Sequence, residues 1–210
     1  MLPEFRQQIE QFVKWVRRRN PTAHTWQDYH CDLHTFADTV GNKSLSEITY
    51  KEVDAFIESQ LEQHRKAATI NRRLAAIASL YKFYMVEDEE LECPVIKYRH
   101  TLRAHQRLPR VVPEDELKRL FAVIHTVRDK AIFLLMLRCG LRISEVAKMN
   151  LTDLHLKEEP PRFVVHGKNG RDRSAYLYGQ AEAAFRTYLT QRPEINQQAI
   201  FIDRKSTRLN

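Results

Sequence analysis

Through residues 1–92 apolar side chains recur at steps of three and four, the period of helices with one buried face. Leu2, Phe5, Ile9, Phe12 and Val16 form a first stripe. Trp26, Tyr29, Leu33, Phe36 and Val40 form a second, with Thr25 as its expected cap. A third, Val53, Phe56, Ile57 and Leu61, follows a Thr49–Glu52 capping box. Ile70, Leu74, Ile77, Tyr81 and Tyr84 make the fourth, and Arg72, Arg73 and Lys82 lie off it. The pattern predicts a four-helix domain over 1–92 without strands.

From Pro94 to Val112 the period fades, so 93–112 reads as a linker, and a second domain is expected over 113–202. Pro113 suits a first helical position, and Leu117, Leu120, Phe121 and Ile124 give an amphipathic helix. "RDKAIFLLMLRCG" is apolar nearly all round, as a central helix should be. In "GLRISEVAKMN" Gly140 closes that helix and Ser144 caps another. Phe163–Val165 and Ala175–Tyr178 are β-rich arms around Gly-Lys-Asn-Gly, a hairpin with Lys168 at its tip, before a helix over Ala181–Thr190. The expected fold is mainly α, with an α+β second half.

Charge narrows the partner. The 210 residues carry a formal +7, which suits a polyanion. Ala131–Leu137 is too short an apolar run to cross a membrane, and the N-terminus is charged where a signal peptide needs apolar residues. Cys31, Cys93 and Cys139 lie far apart, as reduced thiols in a cytosol would, so a cytoplasmic location is expected. His30, Cys31 and His34 have a spacing that could hold a metal, but no fourth ligand is near in sequence and no metal is expected. Lys97, Arg99, Arg103, Arg107 and Arg110 appear in the linker without an acid, either as a solvated face or as a clamp on duplex phosphates. Arg142 admits two readings, a solvated turn residue or, with the helix mouth, a grip on an anion. Lys168 is either a solubilising tip or a second cation of the same site.

Three stretches carry a resemblance. "RDKAIFLLMLRCGLRISEVAKMNLTDLHL" resembles the first catalytic box of the tyrosine recombinases, the phage-integrase and Xer-like site-specific DNA recombinases, with its Gly-Leu-Arg-(Ile/Val)-Ser-Glu core. "VVHGKNGRDR" is similar to the β-hairpin of that family. "TINRRLAAIASLYKFYMVEDEELECPV" is similar to the last helix of its core-binding domain, with Cys93 where Asn is usual. The resemblance spans residues 1–202. It implies a four-helix SAM-like core-binding domain followed by an α+β catalytic domain. It also implies DNA cleavage by a tyrosine through a 3′-phosphotyrosyl link, without metal or cofactor. Arg142 matches the first of the family's two arginines and Lys168 its general acid. Double-stranded DNA is the implied partner of a homo- or hetero-tetramer. The expected DNA contacts are Lys66, Thr69, Asn71, Arg72, Arg73, Arg99, Arg103, Arg107, Arg171 and Arg173. A non-catalytic regulator or degenerate integrase is the alternative.

No His-x-x-Arg follows Lys168, and Tyr176, Tyr178 and Tyr188 fall in the hairpin and next helix, where the family has no nucleophile. The expectation is therefore a C-terminally truncated fragment, inactive alone. Its last residues, Asp203–Asn210, read as the translation of a common sequencing adapter, a non-native tail, against the alternative of a genuine polar loop.

Overall fold

The four apolar stripes fold as four helices: α1 (Glu4–Arg19), α2 (Thr25–Val40), α3 (Tyr50–Glu62) and α4 (Ala67–Tyr84). The computed structural model describes residues 4–104, 108, 110–167 and 171–203. It divides into two units, Met1–Leu108 and Pro109–Asn210.

In the first unit, one side chain from each stripe meets in a shared core of Phe5, Leu33, Phe56 and Ile77. Phe36 stands edge-on to Phe5 and Phe56, with ring centroids 6.1 and 5.2 Å apart. Full burial of such side chains contributes roughly 1.5–3 kcal/mol each, which is why the stripes and not the charges set the helix faces. The capping box forms as expected: Thr49 Oγ1 accepts from the Lys51 amide at 3.3 Å, and Glu52 Oε2 accepts from the Thr49 amide at 2.7 Å. Thr25 is not a cap. The backbone of His24 is already helical, so α2 begins a residue earlier in its winding and Thr25 sits in the first turn.

Part of the expected linker is fastened to this unit. Ile96 leads into a short helix, α5 (Lys97–His100), whose His100 is buried. The Asn71 amide donates to the Leu102 carbonyl at 2.8 Å and accepts from its N–H at 2.9 Å. Arg99 makes a bidentate pair with Asp54 of α3. Two long-range ties thus extend the first unit beyond residue 92.

The second unit holds α6 (Glu114–Ala122), α7 (Val127–Cys139) and α8 (Ile143–Lys148), then β1 (Leu154–His155), β2 (Arg162–Val165), β3 (Arg173–Tyr176) and α9 (Gly179–Gln191). Pro113 is the residue before α6 and not its first member. The strands form an antiparallel sheet in the order β1-β2-β3, with Leu154 opposite Phe163 and Phe163 opposite Ala175. β1 is a strand that the hairpin pattern did not announce, because two residues carry no readable alternation. The core gathers Ile132 and Leu135 of α7, Val146 of α8, Phe163 and Val165 of β2, Phe185 and Tyr188 of α9, and Phe201. Tyr188 stacks on Phe201 at 4.9 Å and donates its hydroxyl to the Ile200 carbonyl at 2.9 Å. Although α7 reads as apolar all round, its Phe133 and Leu137 are exposed. No helix among the described residues is long and apolar enough to cross a membrane.

Candidate functional site

Gly140 ends α7 in the left-handed region at φ +65°, a conformation that suits glycine. The chain then buries Leu141 and presents Arg142 immediately before α8, with extended backbone. The residue in the cap position is Arg142, so Ser144 lies inside the first turn. The reason is Glu145, whose Oε2 accepts the Arg142 backbone N–H at 2.9 Å. Oε1 accepts Nη1 of the same arginine at 3.0 Å. From β3, Arg173 Nη2 reaches Oε2, also at 3.0 Å.

These contacts define a cationic patch with a buried counter-charge. The Glu145 side chain is 7% exposed, whereas that of Arg142 is 78% exposed. Burial opposes the charge on Glu145, but the amide and guanidinium of Arg142, with Arg173, outweigh it and hold the carboxyl below its usual range. Two guanidiniums on one carboxylate leave a net positive charge facing outward. With only six residues, α8 adds little dipole, so the capacity to hold an anion rests on the guanidiniums.

Lys168 and Arg107 lie outside the described residues. Near Lys168 in sequence, His166 is held by two carboxylates. His166 Nε2 is 3.2 Å from Asp153 Oδ1, and its Nδ1 is 2.9 Å from Asp172 Oδ2. The bonds to Asp153 and then Asp172 push the His166 imidazole above its ordinary range. At Gly167 an added Cβ would stand 2.1 Å from the Arg171 carbonyl oxygen, so this position has room only for glycine.

The expected DNA contacts of the first unit divide by partner. Lys66, Arg72 and Arg103 are exposed, and Thr69 is half-buried. Arg72 Nη1 pairs with Asp32 Oδ2 at 2.6 Å but keeps an exposed flank. Arg73 points inward to Asp32 and Gln60. Burial raises the Asp32 carboxyl despite both arginines. Asn71, Arg73 and Arg99 have partners within the unit: the Leu102 backbone for Asn71, Asp32 and Gln60 for Arg73, and Asp54 for Arg99. In the second unit Arg171 is exposed, and Arg173 belongs to the Glu145 cluster. Tyr176 and Tyr178 are exposed, at the end of β3 and just before α9.

Sequence reasoning did not single out Glu145, Asp32 or Asp54 as partners. For Glu145 the signal was present, an acid three residues after Arg142 at the start of a helix. A metal was not expected at His30, Cys31 and His34; the structure adds Glu10 of α1 to the two histidines, with its Oε1 3.1 and 2.8 Å from their Nε2 atoms.

Comparison with known proteins bears on both units. The profile of the phage integrase family matches residues 110–210, and that of the phage integrase N-terminal SAM-like domain matches residues 9–88. The chain is 28% identical over 162 residues to "Tyrosine recombinase XerC" of Staphylococcus haemolyticus, covering 74% of this chain and 54% of that protein. It is 28% identical over 190 residues to "Tyrosine recombinase XerC" of Oceanobacillus iheyensis, covering 86% and 61%. It thus spans less than two thirds of the length of these relatives. In fold it is similar to XerH site-specific recombinase bound to palindromic difH substrate, with TM-score 0.73, 18% identity and coverage of 98% of this chain and 63% of the other. It is also similar to the Tn1549 transposon integrase in complex with circular intermediate DNA, with TM-score 0.71, 14% identity and coverage of 96% and 73%. Two profiles placed end to end over most of the sequence, each on its own folded unit, show that this chain belongs to the phage integrase family, the tyrosine recombinases.

Proposed function

We propose that the protein containing this chain is a site-specific DNA recombinase that cuts and rejoins strands through a 3′-phosphotyrosyl intermediate. The observation that carries this reading is the exposed Arg142 guanidinium indexed by buried Glu145, beside Arg173. When a tyrosine oxygen attacks a phosphodiester, negative charge builds on the non-bridging oxygens. A guanidinium already fixed in place stabilises that charge without reorganising. The phosphorus–oxygen bond to the 5′ carbon's oxygen breaks, and Lys168 gives that oxygen a proton. The phosphotyrosyl bond retains the energy for rejoining, so no ATP is consumed.

Lys66, Thr69, Arg72, Arg103, Arg107, Arg171 and Arg173 contact DNA, while Asn71, Arg73 and Arg99 tie the first unit together through Leu102, through Asp32 and Gln60, and through Asp54. The protein works on double-stranded DNA as a tetramer, in the cytoplasm. The tyrosine nucleophile and second arginine are assigned to the part of the relatives' length that this chain, at 54% and 61% of two of them, does not span. A non-catalytic DNA binder is the second reading, and adduct formation separates the two.

The test is a covalent-adduct assay on a nicked suicide substrate. This chain alone should form no adduct; the protein extended to the full length of its relatives should form one. In the extended protein Arg142→Ala should slow cleavage by about 10²–10³ while largely sparing DNA affinity. A bridging 5′-phosphorothiolate should rescue Lys168→Ala but not Arg142→Ala. An extended protein that binds DNA but never forms an adduct would leave the non-catalytic reading standing.

A further inference from the structure

Glu10 of α1 faces a histidine pair on α2. His30 and His34 lie one helical turn apart, with ring centroids 4.3 Å from each other. Each of the three residues offers one ligand atom, and these atoms all lie within 4.8 Å of one another. The Nε2 atoms of His30 and His34 are 3.1 and 2.8 Å from Glu10 Oε1. In a tetrahedral zinc site with bonds of about 2.0–2.1 Å, neighbouring ligand atoms stand about 3.3 Å apart. Small side-chain rotations therefore separate the present arrangement from a coordinating one.

We propose that Glu10, His30 and His34 form a binding site for Zn²⁺ or a similar transition-metal dication, tying α1 to α2. Two imidazoles and one carboxylate suit such an ion, whereas Mg²⁺ takes oxygen ligands and keeps its waters. Half-exposed side chains leave the fourth position to solvent. The ion replaces an existing bond network. Arg6 Nη1 donates to His34 Nδ1 at 3.1 Å, so the proton of the neutral ring sits on Nε2 and points at Glu10. Coordination through Nε2 moves that proton to Nδ1 and turns Arg6 wholly to Asp38, which it already meets at 2.5 Å. Arg6 is thereby a built-in competitor of the metal.

The experiment uses the full chain, reduced, stripped with chelator and carrying Cys31→Ser to remove the thiol beside His30. Titration with ZnCl₂ is followed by calorimetry, and thermal unfolding is measured with and without metal. One equivalent should bind and raise the melting temperature, and MgCl₂ should not. His30→Ala, His34→Ala and Glu10→Gln should each weaken binding by about tenfold or more, since even partners behind the ligands are worth that much. Arg6→Met should tighten it. The metal-free variants should give the wild-type circular dichroism spectrum, which separates a lost ligand from a lost fold. Absence of binding at millimolar zinc, or binding undiminished in the His30→Ala/His34→Ala double variant, overturns the proposal.

Discussion

Glu145 holds Arg142 at both ends: Oε2 accepts its backbone N–H at 2.9 Å, and Oε1 accepts its guanidinium at 3.0 Å. An arginine on a turn otherwise samples many rotamers, and ordering it costs side-chain entropy. Here the cost is met in the folded protein, because a buried acid with three donors around it sets where the cation stands.

Removing the acid should therefore cost more than removing the cation. Glu145→Ala should lower stability by about 1–3 kcal/mol, as donors placed around a buried acceptor lose it. Arg142→Ala, at an exposed position, should cost less than about 1 kcal/mol. Urea unfolding of the two variants decides the order, and a larger loss for Arg142→Ala would reverse the roles.

DNA affinity should separate outward cations from inward ones. Binding to duplex DNA should fall by roughly 10³ or more between about 50 and 200 mM salt if six or more phosphates are neutralised. Lys66→Ala, Arg103→Ala and Arg171→Ala should each reduce the salt slope by about 1. Arg73→Ala should leave the slope unchanged and lower the melting temperature, because its partners are Asp32 and Gln60. Fluorescence anisotropy across a salt series provides the measurement.

Asn71 should control the segment after α4. Its side-chain amide donates to the Leu102 carbonyl and accepts from the Leu102 N–H. Asn71→Ala should destabilise the first unit by about 1–3 kcal/mol and speed amide exchange over residues 97–102. Wild-type exchange at Leu102 in the variant would reject this role.

The His166 bridge makes the second unit sensitive to pH. Hydrogen bonds to Asp153 and Asp172 raise the folded imidazole above its ordinary 6.5. The protonated form is thus favoured by folding. Its contribution is complete below about 6.5 and is lost as pH rises through the raised value. The wild-type chain should melt lower at alkaline than at mildly acidic pH, and His166→Gln should remove that part of the dependence. Identical pH profiles for the two proteins would contradict the bridge.

Local pattern made much of this protein legible. Stripes at helical spacing located α1 to α4 because burial of one face is written into every third or fourth residue, and the Thr49–Glu52 box needs only neighbours. Gly140 before Arg142 was equally readable, since a left-handed helix end suits glycine. Arg73, Asn71 and Arg99 were not readable in the same way. Their partners Asp32, Leu102 and Asp54 lie 31 to 45 residues away or are reached only across another helix. Glu10 likewise meets His34 across 24 residues. A period along one helix specifies which face turns inward, but it carries no information about which polar group on another helix that face will meet. That choice depends on the distance and rotation between packed elements, so tertiary structure decided which cations are engaged internally and which face outward.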